Sequence, residues 1–187
     1  MDLTHDSDAQ ATHDMEPAIR RFSYPYLPND GQHFRLLQLF QDDEEASIRC
    51  ELFTARRSDW KEQYFAMSYV WGSKDNKAEI ILNERSFPLR RNLFDFLKAF
   101  RAYMMDCGLP WAIIWADAIC IDQETIDEKN HQVQVMSRIF HDAACVFSWL
   151  GYGDAILKEQ SMAFVNTPWI RLTLSITSPP FWKLLAP

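Results

Sequence analysis

Glycine is scarce in this chain. Among 187 residues there are five: Gly31, Gly72, Gly108, Gly151 and Gly153. No pair of them frames GxGxxG or a Walker loop, so a glycine-rich phosphate cradle is not expected. Cysteine is sparse too. Cys50, Cys107, Cys120 and Cys145 show no CxxC spacing and no histidine at finger spacing, so no metal site is expected. Cys120 and Cys145 lie in apolar runs and read as small buried hydrophobes. Long apolar runs are missing. The longest, Pro110–Ile121, is too short to span a bilayer and contains Asp117. Met1–Arg21 has no apolar stretch of the secretory kind. The expectation is a cytoplasmic protein with free thiols and no membrane contact. Cations are in deficit, 19 Lys and Arg against 26 Asp and Glu, with a formal net charge of -7. That argues against nucleic acid as a partner, because phosphate binding needs clustered cations.

What the chain has is bulk. Hydrophobic residues make up 48% and aromatics 14%, enough for one well-filled core. Residues 1–21 carry Asp2, Asp6, Asp8, Asp14 and Glu16 and almost no large apolar side chain, and read as a disordered acidic tail. Residues 22–63 form a lead-in. Phe34–Phe40 and Ile48–Phe53 flank the solvated Asp42–Glu45 loop and predict an antiparallel hairpin at a sheet edge. Tyr64–Gly72 is nearly all apolar, as suits a strand covered on both faces. Ile80–Leu82 and Phe87–Leu89 flank a turn at Asn83–Arg85. Asn92 is placed to cap a helix whose face is Leu93, Leu97, Phe100 and Met104. Trp111–Ile121 predicts a second buried strand, interrupted by Asp117. A helix from Ile126 to Ala144 follows, with a stripe of Ile126, Val133, Met136, Phe140 and Ala143. Val146–Gly151 is a third buried strand. Strand, helix, strand, helix, strand predicts an α/β fold with a short parallel sheet flanked by helices. Beyond Gly153, Met162–Leu174 reads as a helix interrupted at Pro168.

Ligands of open α/β sheets sit beyond the carboxyl ends of parallel strands. The first such end carries Ser68, Tyr69, Trp71 and Gly72. The second carries Asp117, Asp122 and Gln123, and the third carries Trp149, Gly151 and Asp154. Aromatic faces, carboxylates and an amide suit a planar, hydroxyl-rich ligand better than bare phosphate. Each residue also has a plainer reading. Trp71 fits a core, Gly72 a strand end, and Asp117 a bond to a backbone turn. Asp122, Glu124, Asp127 and Glu128 fit a helix N-terminus that attracts acids. No nucleophile–base pair can be assembled around Cys120 or Ser68.

Four blocks in order resemble the fungal heterokaryon-incompatibility (HET) family. YFAMSYVWG resembles its opening motif, and LRRNLFDFLKAF its next helix. IIWADAICIDQ resembles the block that follows. EKNHQVQVMSRIFHDAACVFSWLG matches the helix and strand after that, including Glu128, Gln132, Trp149 and Gly151. The resemblance covers about Tyr64 to Gly153, within a HET domain over 64–187. It implies a cytoplasmic signalling module of non-self recognition and programmed cell death, partnered by like domains.

The family is distantly similar to TIR domains, and the resemblance therefore implies a TIR-like, flavodoxin-like sheet. Some TIR domains cleave NAD with a glutamate after the third strand. NAD is thus a possible substrate, and no resident cofactor is expected. The late family block continues past an aromatic–Trp pair to a Gln-Glu. Here Phe181-Trp182 begins that block and the chain ends at Pro187, before the glutamate. This implies an incomplete C-terminal part and no NAD cleavage by this chain.

Overall fold

The computed structural model describes residues 22–42 and 47–149 and the backbone of 162–165. The expected acidic tail, Gly151, Asp154 and the Phe181-Trp182 pair lie outside these residues. The strands are β1 (His33–Phe40), β2 (Arg49–Arg56), β3 (Phe65–Tyr69), β4 (Lys77–Leu82) and β5 (Arg85–Arg90), then β6 (Trp111–Trp115), β7 (Cys145–Trp149) and β8 (Met162–Val165). The helices are α1 (Arg91–Asp106), α2 (Asp117–Cys120) and α3 (Ile126–His141). All the strands join one mixed sheet in the order β5-β4-β2-β1-β6-β3-β7-β8.

The fold is α/β, as the sequence predicts. β3 runs parallel to both β6 and β7 and lies between them. The three continuous apolar runs therefore form a parallel core in the order second, first, third. That is the flavodoxin-type order, whose switch point lies between the first and third strands. α1 covers one face, burying Leu93, Phe96, Leu97, Phe100 and Met104. Phe100 meets Phe65 and Phe147 edge to face, at centroid distances of 5.8 and 4.9 Å. α3 covers the other face. The Tyr64 hydroxyl donates to the carbonyl of Ile139, and Trp115 packs on Phe140 at 5.3 Å. Tyr64 and Phe65, being successive residues of an extended segment, point to opposite faces and so reach opposite helices.

Several expectations are corrected. The β1–β2 hairpin is antiparallel as expected, but it lies inside the sheet, because β1 also pairs with β6 and β2 with β4. β1 is buried nearly throughout, which an edge position would not allow. The outer strands on that side are β4 and β5, joined by a two-residue turn in which Asn83 and Glu84 have φ of 48° and 63°. The Asn83 amide then continues the β2–β4 ladder. Its Oδ1 accepts from Leu52 N at 2.7 Å and its Nδ2 donates to Leu52 O at 3.1 Å.

The second buried strand ends at Trp115, and Asp117 begins the single helical turn of α2 instead of interrupting a strand. The carbonyl of Ala116 accepts from Ile119 N and Cys120 N, which closes that turn. α3 ends at His141, three residues short of the expected Ala144, and the expected stripe holds only in part: Met136 and Phe140 pack against the core and Ala143, just past the helix, is buried. Gln132, Val135 and Ile139 point inward, while Ile126 and Val133 are 72% and 53% exposed. Met162–Val165 form strand β8, not a helix. They pair antiparallel with β7, whose outer edge offers an open ladder.

Candidate functional site

The carboxyl ends of β6, β3 and β7 lie side by side, so the three predicted strand ends do meet. Tyr69 closes β3, and its hydroxyl donates to Asp117 Oδ1 at 2.8 Å. Two residues on, Trp71 Nε1 donates to Asp117 Oδ2 at 3.0 Å. The amide of Ala118 donates to Oδ1 at 2.8 Å. One half-buried carboxylate thus accepts from three donors. Burial first, and then the charge of Asp117, push the Tyr69 phenol far above the ordinary tyrosine range. Gln123 reaches back to the same turn and donates to the carbonyl of Asp117 at 2.7 Å. Ser68 is exposed on β3.

Gly72 follows Trp71 with φ of +72°. A Cβ there would be strained by that φ and would meet Asn92 Cβ at a tight 3.3 Å. Arg90 Nη1 donates to the Gly72 carbonyl at 2.8 Å, and its guanidinium lies 4.7 Å from the Trp71 ring centroid. Asn92 is not the helix cap that the sequence predicts. Arg90 holds the cap position, and Asn92 sits in the first turn of α1. Its Nδ2 donates to the carbonyl of Val70, and its Oδ1 accepts from Trp149 Nε1 at 2.9 Å. Trp149 in turn stacks on Phe96, with rings 5.5 Å apart and 2° from parallel. Asn92 therefore bridges the carboxyl ends of β3 and β7 at the switch point.

Glu128, Gln132 and Asp122 belong to a second cluster, organised by Arg35 of β1. Arg35 is 2% exposed. Its Nη1 and Nη2 donate to Glu128 Oε1 and Oε2 at 2.5 and 2.9 Å. Its Nε donates to Pro25 O at 2.9 Å and Nη1 also to Cys120 O at 3.3 Å. Tyr24 lies over the guanidinium at 4.9 Å. Glu128 Oε1 also accepts from Asp122 N at 2.7 Å. Asp122 accepts from Glu124 N and Thr125 Oγ1 at 3.0 and 2.8 Å, which shapes the turn into α3. Gln132 Nε2 donates to the carbonyl of His33 at 3.3 Å. This buried ion pair ties α3 to β1.

The sequence reading passes over Arg35 and Arg90, and it gives Asn92 only a capping role. Arg35 did leave a signal, since a lone cation in the apolar run Phe34–Phe40 must find an anion if it is buried. Arg90 and Asn92 left none, because both suit a helix start on local grounds alone. Chemically, the carboxylates of Asp117 and Glu128 are held by donors of the fold itself.

No solved structure matches this chain. A curated relative from Neurospora crassa, "Heterokaryon incompatibility protein 6, OR allele", is 36% identical over 145 residues. The match covers 70% of this chain and 21% of the relative, so the chain spans about a fifth of that protein's length. The family profile described as "Heterokaryon incompatibility protein (HET)" matches residues 64–175, a span that opens just before β3 and takes in the whole Asp117 cluster. The chain belongs to the heterokaryon incompatibility (HET) family.

Proposed function

We propose that this domain is a cytoplasmic signalling module of fungal non-self recognition. It promotes cell death by associating with like domains and not through chemistry of its own. The observation that supports this is the engagement of the two candidate acids. Asp117 receives Tyr69, Trp71 and Ala118 N, and Glu128 receives Arg35 and Asp122 N. An acid that stabilises an oxocarbenium-like transition state must face the substrate, not the protein's own donors. The rival reading, a TIR-like NAD glycohydrolase, needs such a carboxylate. Among the described residues, the strand ends present none without a structural partner.

The test is inducible expression of the 187-residue chain in living hyphae, with vital staining and cellular NAD followed together. Death while NAD stays constant is the expected result. A fall in NAD that precedes death, reproduced by the purified chain in buffer, overturns the proposal in favour of the glycohydrolase.

A further inference from the structure

α3 turns an uncharged strip outward. At about 100° per residue, Ile126, Asn130, Val133 and Ser137 share the side opposite the buried Gln132, Val135 and Ile139. All four are exposed, and Ile126 and Val133 are among the most exposed large apolar side chains of the described residues. Two apolar residues kept in water one heptad apart, with the small polar Asn130 and Ser137 between and after them, leave an uncharged strip that a second helix could cover. Charge lies on the flank of the strip. Asp127, near the start of α3, and Arg138, near its end, are on the same flank, exposed, with no ion-pair partner among the described residues.

We propose that this face pairs with the same face of a second copy, α3 against α3, antiparallel about a two-fold axis near Val133. Antiparallel pairing brings like flanks together, so Asp127 of each copy meets Arg138 of the other at both ends. Val133 then packs on its own equivalent at the centre, and Ile126 extends the apolar contact outward. An isologous contact of this kind closes on itself as a dimer. A parallel pairing would instead set the flank of Asp127 and Arg138 against the opposite flank of the other copy, so the two charges would not meet. The inference rests on the reading of the domain as an association module and names its contact surface. One helix pair buries little area, below about 1,200 Å², so the dimer is weak.

The test is sedimentation equilibrium of the full 187-residue chain up to high concentration, at low salt. The expected result is a monomer–dimer equilibrium that Val133→Asp weakens by roughly tenfold or more, with unchanged thermal unfolding. Asp127→Lys and Arg138→Glu should each weaken it, and the two together should restore it, because the swapped charges meet again. A general loss of stability would not be reversed in that way. A dimer indifferent to Val133→Asp, or a double variant no better than the singles, overturns the α3 surface while leaving association itself intact. A chain that stays monomeric at every concentration overturns the association reading as well.

Discussion

Removing Glu128 should damage the fold before it damages any activity. Arg35 is 2% exposed, and the Glu128 side chain is 16% exposed. In Glu128→Ala the guanidinium keeps the carbonyls of Pro25 and Cys120 and the Tyr24 ring but no anion, and the amide of Asp122 loses its acceptor. Breaking a buried pair by deleting one partner costs about 3–5 kcal/mol. The residual exposure of Glu128 points to the lower end, about 3 kcal/mol. That is a large share of the ~5–15 kcal/mol that holds a domain together. With a urea slope of ~1–3 kcal/mol/M, the unfolding midpoint should fall by roughly 1–3 M. The control is Arg35→Met combined with Glu128→Leu. Apolar replacement of both partners avoids an unpaired buried charge, so the double variant should recover much of the loss. A Glu128→Ala midpoint within roughly 0.3 M of the wild type would refute the reasoning. So would a double variant whose loss equals the sum of the single losses.

Two further outcomes follow from the packing and the titrating groups. Trp149→Ala empties the slot between Phe96 and Asn92 and should cost about 3–5 kcal/mol in a denaturant titration, whereas Trp149→Phe, which keeps the stack but loses the indole donor, should cost about 1 kcal/mol. Burial pushes the Cys120 thiol from its ordinary 9.0 up to about 12, so the folded state holds that proton more tightly than the unfolded chain. Stability from this group is therefore complete below pH 9.0, declines above it, and is lost by about pH 12. Circular dichroism should show alkaline unfolding, with Cys120 unreactive to a thiol reagent until the fold opens; labelling of Cys120 in the folded state near pH 8 would contradict this.

The parallel core was legible because its three runs are continuously apolar and separated by helix-length spacers, a pattern with few other solutions. The buried face of α1 was legible for the same reason: Leu93, Leu97, Phe100 and Met104 follow the helical period and are all buried, joined by Phe96 and by Arg101. α3 misled because two inward positions are polar. Glu128 and Gln132 face the protein, since Arg35 and the carbonyl of His33 satisfy them, and hydropathy alone assigns such residues to solvent. The apolar Ile126 and Val133 then stood in for a core face that they do not occupy. Asp117 was found as a residue of interest, but its partners were not, because Tyr69 and Trp71 reach it across 48 and 46 residues of chain. Asn92 was read from its neighbours, and its actual bonds run to Val70, just past the end of β3, and to Trp149, the last residue of β7.

The donors on Asp117 also limit what could bind there. An ionised carboxylate has about four lone-pair positions. Tyr69, Trp71 and the Ala118 amide take three of them. One incoming hydroxyl can still be accepted, but a cis-diol held by two bonds, as a ribose would be, must displace a protein donor. A displaced Tyr69 hydroxyl or Trp71 indole left without a partner in this part-buried site costs about 1–3 kcal/mol. That amounts to roughly a 5- to 150-fold loss in affinity, set against a gain of about 1.5–3 kcal/mol for a new bond to a charged acceptor. The exchange is close to neutral. Asp117 therefore contributes more by joining the end of β3 to α2 than by selecting a sugar.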